Sequence, residues 1–134
     1  MKKADRQKIF DKYGGRCAYC GCELQKGWHV DELQPVRRNK VWNQVKMRWE
    51  IKKEKPFEHP ERLTIENQNP SCASCNINKH SDSLEQFRNN IAAYMKHLNE
   101  ISTQYKIAKR YGLIQETGAE VKFYFETIQS QSKQ

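Results

Sequence analysis

Two cysteine pairs with the same internal spacing, Cys17 and Cys20 in "CAYC" and Cys72 and Cys75 in "CASC", are the residues of this chain best suited to bind a metal. Thiolates two residues apart can occupy one edge of a tetrahedral cation, and a second pair far along the chain can take the opposite edge. The pattern predicts a structural zinc ion held by Cys17, Cys20, Cys72 and Cys75. Four thiolates leave no coordination position open, so the ion would clamp two distant segments and take no part in a reaction. Cys22 makes the total odd, which argues against a disulfide framework. It is either a thiol outside the metal shell or a replacement ligand for Cys20.

Around these pairs lie oxygen-bearing and cationic side chains. Asp31 and Glu32 stand side by side in "WHVDELQP", just ahead of Arg37 and Arg38. Asn67 falls in "ENQNPSC", Asn76 directly follows Cys75, and Lys79 lies one helical turn beyond. The 134-residue chain carries a formal charge of +8. A field of that sign favours a polyanionic partner, and nucleic acid comes first. The segment after Asp31 concentrates the cations: Arg37, Arg38, Lys40, Lys46 and Arg48 are interleaved with Trp42 and Trp49. Such side chains neutralise phosphates without reading sequence. The competing reading is a solvated charge run, and the tryptophans either stack on bases or anchor the loop on the core. No apolar run approaches the roughly 20 residues that span a bilayer, and "MKKADRQKIF" lacks the apolar region of a signal peptide, so a cytoplasmic protein without membrane contact is expected.

The ordered set of CxxC, a strand-end aspartate, Asn-x-x-Pro-x-Cys and CxxCN-x-x-Lys, running from "YGGRCAYCG" through "SCASCNINKH", resembles the zinc-containing HNH endonucleases of small phage or bacterial type. That resemblance implies a ββα-metal motif, a hairpin followed by a helix, and hydrolysis of DNA phosphodiesters, with double-stranded DNA as the partner. It further implies that Asp31 and Asn76 bind a catalytic Mg2+ or Mn2+, that Asn67 orients the general base through a hydrogen bond, and that Lys79 meets a phosphate. A hard cation that takes few protein oxygens keeps sites for water and phosphate, which suits this arrangement. The chain departs from the family at one position. The histidine that normally follows the aspartate is replaced by Glu32. Imidazole, with a free pKa near ~6.5, is a better base at neutral pH than a glutamate near ~4.3. Impaired cleavage is therefore expected. His29, on the same strand side as Asp31, is a candidate substitute. Two other classes stay open: a DNA-binding zinc module without catalysis, and an RNA-binding zinc protein. Monomer and homodimer are both compatible with the sequence.

The elements that must position these groups read as an α+β fold in a single domain, residues 1–134, with a core over about 14–90, an extension over about 91–128 and a disordered tail at 129–134. Residues 3–13 form a helix that stops at Gly14-Gly15. "WHVDELQP" is a strand, 36–62 an irregular or partly helical loop, and "LTIENQNP" a short strand and turn. A helix opens at "CASC". Asp82 and Glu85 cap the next, whose stripe of Leu84, Phe87, Ile91, Met95 and Leu98 is packing. Ile101, Tyr105 and Ala108 mark a further helix before Gly112, and "EVKFYFETI" alternates as a strand. The extension is expected to add to the core.

Overall fold

The computed structural model describes residues 1–132, with side chains through residue 128. It is an α+β arrangement of six helices and two separate two-stranded sheets among the described residues. Helix α1 (Lys3–Asp11) ends where Gly14 and Gly15 adopt φ of 62° and 78°, a conformation that costs glycine little. A Cβ on Gly15 would meet the Phe10 ring at 3.1 Å, so the turn needs both the backbone freedom and the missing side chain. The chain then folds back on itself, with Leu24 N–H bonded to Gly15 O at 2.9 Å around the first cysteine pair.

Strand β1 (His29–Glu32) pairs antiparallel with strand β4 (Gln68–Ser71), with Asp31 opposite Asn69 and Val30 opposite Pro70. Proline is compatible with β4 because the pair has only two strands and needs no second ladder there. Its carbonyl instead accepts the Ala18 N–H of the first cysteine loop at 2.8 Å. Helix α2 (Ala73–Lys79) starts directly after β4, with the Cys72 sulfur accepting the Cys75 N–H as its N-cap.

The core is small and aromatic. Cys17, Ala18, Tyr19, Phe87, Phe123 and Phe125 are buried together. Tyr19 presents its ring to the edges or faces of three phenylalanines, with centroids at 5.7, 5.6 and 6.3 Å from Phe87, Phe123 and Phe125. Phe87 comes from α3 (Leu84–Ala92), and Phe123 and Phe125 flank the start of α6 (Tyr124–Ser132). Arg88 joins these last two helices, pairing with Glu126, donating to Val121 O at 2.6 Å and lying 4.6 Å over Phe123.

Several expectations are corrected. Residues 36–62 hold a regular hairpin, β2 (Lys40–Asn43) and β3 (Arg48–Ile51), joined by a four-residue turn, followed by a short 3-10 turn at Pro60–Arg62. The "EVKFYFETI" segment is not a strand: residues 120–123 are irregular and Tyr124 opens α6. Its alternation survives because Tyr124 and Phe125 N–H groups bond Tyr19 and Ala18 carbonyls at 2.9 Å, docking the helix end on the cysteine loop. Of the expected tail, residues through Ser132 continue α6, and 133–134 lie outside the described residues. The cap of α3 is a Ser83–Gln86 capping box, one residue after the expected pair; Asp82 instead accepts from Asn90 at 3.1 Å. The apolar stripe breaks at Ala93, after which come α4 (Tyr94–Ile101) and α5 (Thr103–Arg110).

Those two helices do not extend the core, since neither contains a buried residue and Ile101 stays 64% exposed. A polar knot holds them: Glu116 accepts from Asn99 at 2.6 Å, Lys109 at 3.0 Å and Tyr105 at 2.8 Å. Those hydrogen bonds, with Asn99 first, hold the Glu116 carboxyl down at about 2.

At the end of α2, His80 adopts φ 51° and ψ −134°, a conformation that a side-chain-bearing residue resists. His80→Gly is expected to raise unfolding free energy by about 1 kcal/mol, because relief of strain outweighs the extra entropy of glycine in the unfolded chain. Urea denaturation of the two proteins checks it; a lower midpoint for the glycine variant would show that the histidine side chain contributes more than the strain costs.

Candidate metal centre and the carboxylate behind it

The four paired cysteines converge. One sulfur from each of Cys17, Cys20, Cys72 and Cys75 lies within 4.8 Å of the others, and Cys20 and Cys72 sulfurs are 3.8 Å apart. Zinc–sulfur bonds of about 2.3 Å in a tetrahedron put neighbouring sulfurs roughly 3.8 Å apart, so the cluster has the dimensions and the soft donor set that a metal such as zinc requires. None of the five cysteines is in a disulfide. The local sequence explains the convergence. Cys17 N–H bonds Cys22 O at 2.8 Å and Gly21 N–H bonds Cys17 O at 3.0 Å, curling the first pair around one point. Gly21 sits at φ 77°, and a Cβ there would approach the Tyr124 ring to 3.0 Å. A hydrogen bond from Cys75 pulls the Cys17 thiol down to about 4, towards the thiolate that binds metal. Cys22 is exposed and outside the four-sulfur group.

Behind the metal centre sits a buried polar cluster. Asp31 on β1 is 6% exposed and Lys79 on α2 is fully buried. The Lys79 ammonium lies 3.0 Å from Asp31 Oδ2 and donates to the Glu32 carbonyl at 2.9 Å. The Tyr19 hydroxyl, from between the first two cysteines, donates to the same Asp31 oxygen. Burial first, and then the Asp31 charge, raises the Tyr19 phenol far above its ordinary range, so it stays a donor. Asn69, opposite Asp31, is fully buried. Its Oδ1 accepts from Lys12 at 3.0 Å, while its Nδ2 is buried with no hydrogen-bond partner. Burial lowers the Lys12 ammonium, against the pull of Glu66.

The residues expected to act together are distributed around this cluster. Lys79 is corrected: with no exposed surface and its charge spent on Asp31, it cannot face a phosphate. Asn67 is corrected as well. Its amide accepts from Gln34 N–H and donates to Gln34 O and Arg62 O, all at 2.9 Å, so it bonds loop backbone and not the Glu32 side chain. It stiffens the chain immediately after Glu32. Glu32 itself is half-buried, and its carboxylate accepts the Val36 N–H at 3.3 Å. Asn76 is half-buried on α2, three residues before Lys79 and therefore on the same side of the helix. Its backbone N–H bonds Cys72 O at 3.0 Å, whereas its side-chain amide makes no hydrogen bond among the described residues, nor does Asp31 Oδ1. The Lys79 ammonium 3.0 Å from Asp31 Oδ2 is a positive charge that would compete with any cation for this carboxylate.

Arg37 and Arg38 are exposed, and Arg37 lines an open groove with Pro35, Arg62 and Ser83. Lys40, Lys46 and Arg48 are exposed on the hairpin, the last two partnered with Glu50 at 3.5 and 3.2 Å. His29 is exposed at the head of β1. The sequence reading overlooked Tyr19, Lys12 and Asn69. The position of Tyr19 inside the CxxC loop was the available signal, because the loop's backbone is held by the cysteine cluster and an aromatic there is carried into the core beside it. No helix is long and apolar enough to cross a membrane among the described residues. No family model, curated protein or solved structure matches this chain.

A buried charge left without its partner is costly, typically about 3–5 kcal/mol. Lys79→Met is expected to lose that much stability in urea denaturation, and adding Asp31→Asn to recover more than half of it. A single variant within 1 kcal/mol of the parent, roughly a surface pair's worth, would show that water reaches Asp31 and that the pair is not a buried one.

Proposed function

We propose that this chain is a metal-dependent DNA endonuclease of HNH type that hydrolyses phosphodiester bonds and is impaired by Glu32. The observation that carries the reading is the β1–β4 pair followed by α2 beside a four-thiol cluster, with Asp31 on β1 and Asn76 on α2 directly after Cys75. In this reading Asp31 Oδ1 and the Asn76 amide oxygen bind the catalytic cation. Bound there, Mg2+ or Mn2+ would polarise the scissile phosphodiester and stabilise the leaving oxygen. Tyr19 and Lys79 fix the other Asp31 oxygen, so the carboxylate is oriented before any cation arrives. Glu32 occupies the position of the base that takes a proton from the attacking water. A carboxylate accepts that proton less readily than an imidazole and brings a negative charge towards the phosphate. Asn67 holds the loop that carries Glu32 into the arginines, and Arg37 and Arg38 receive the DNA backbone.

A second reading, a DNA-binding zinc module without catalysis, is favoured by one specific contact. The Lys79 ammonium already neutralises Asp31, which weakens the affinity of that carboxylate for an added cation.

Nicking of supercoiled plasmid with Mg2+ or Mn2+ separates the two. Glu32→His is expected to cut about 100-fold faster than the parent, within the usual range for a general base, and Asn76→Ala in the histidine background to abolish cutting. If neither parent nor histidine variant nicks while both still bind DNA, the chain is a binding module.

A further inference from the structure

The hairpin of β2 and β3 is built as an arm with two unlike faces. Its base is a backbone ladder: Asn39 N–H bonds Pro56 O at 2.9 Å, Lys52 N–H bonds Asn39 O at 2.8 Å, and Arg38 bridges Phe57. Beyond it, side chains alternate across the ribbon. One face carries Asn43 opposite Arg48 and Val41 opposite Glu50. Its polar groups satisfy one another, since Glu50 accepts from Asn43 at 3.1 Å and from Arg48 at 3.2 Å. The other face carries Trp42 opposite Trp49 and Lys40 opposite Ile51. The indoles meet edge to face at 5.5 Å, yet remain 41% and 64% exposed. They cover each other and no core.

Charge tells what this face would meet. Residues 37–55 contain eight Lys or Arg against two Glu, a large share of the surplus of the whole chain. A cationic ribbon repels basic surfaces and draws in phosphates, and exposed indoles offer a flat apolar surface to nucleobases. We propose that the β2–β3 arm contacts nucleic acid through Trp42 and Trp49 stacking on unpaired bases, so that the chain binds single-stranded or locally melted DNA more tightly than intact duplex. In a closed duplex the bases are already stacked, leaving only the phosphate attraction. The inference rests on nucleic acid being the partner, and not on cleavage.

The test is equilibrium binding of the full chain to a labelled single-stranded oligonucleotide and to the matching duplex, at equal salt. Trp42→Leu with Trp49→Leu keeps an apolar cross-strand pair but cannot stack, whereas Trp42→Phe with Trp49→Phe can. The expected result is tighter binding of the single strand by the parent, a roughly tenfold loss for the leucine pair on the single strand alone, and substantial rescue by phenylalanine. Tryptophan emission of the parent should also be quenched by the single strand. Equal affinity for both DNAs in the parent, or an undiminished single-strand affinity in the leucine pair with circular dichroism unchanged, would overturn the proposal while leaving DNA binding intact. Binding to neither DNA would overturn it together with the nucleic-acid partner assumed above.

Discussion

The structure depends on four thiols meeting at one point. Cys17 and Cys20 are separated from Cys72 and Cys75 by the whole of β1, the basic arm and β4, and closing a loop of that length is opposed by chain entropy. The buried apolar core available to offset it is a handful of aromatic side chains around Tyr19. Domains with so little core commonly rely on a metal. A metal held by this cluster would fix the first cysteine loop against the start of α2, where the other contacts of the site gather. Ala18 reaches the edge of β4, the Ala18 and Tyr19 carbonyls receive the start of α6, and the Tyr19 hydroxyl reaches Asp31.

The second constraint is electrostatic and arises from the first. Once α2 is docked beside β1, Asp31 and Lys79 lie in an interior from which water is largely removed. Neither charge is tolerable there alone. Such a pair adds little net stability relative to apolar groups of the same shape, while breaking it by removing one partner is costly. It also sets the terms on which any added cation binds, because that ion must share Asp31 with an ammonium 3.0 Å away. Outside, the cationic arm creates a long-range field that water screens and salt weakens. The protein therefore separates charge into a neutralised interior pair and a positive exterior.

Much of this was legible in the sequence where signals were local and redundant. The repeated CxxC spacing pointed to the convergence of four cysteines, β-branched and aromatic residues ending at a proline pointed to β1, and the run after the second cysteine pair pointed to α2. The arm was missed because each of its strands is four residues long and its turn, "QVKM", contains no glycine; Met47 takes the left-handed conformation at φ 53° instead. The C-terminal aromatic alternation was misread because an irregular approach followed by a helix start can bury Phe123 and Phe125 alike. Lys79 illustrates a different limit. A lysine at the end of a polar helix looks solvated, and only the tertiary position of Asp31 draws it inside. Asn67 was expected to orient the base through a hydrogen bond, yet its partners are backbone groups of Gln34 and Arg62 that no side-chain pattern discloses.

X-ray absorption at the zinc edge of the purified, metal-loaded chain tests the central claim most directly. The account predicts one zinc per chain surrounded by four sulfur atoms at about 2.3 Å. A shell containing nitrogen or oxygen donors, or protein that folds and shows the Tyr19 to Asp31 contact without any bound metal, would contradict it.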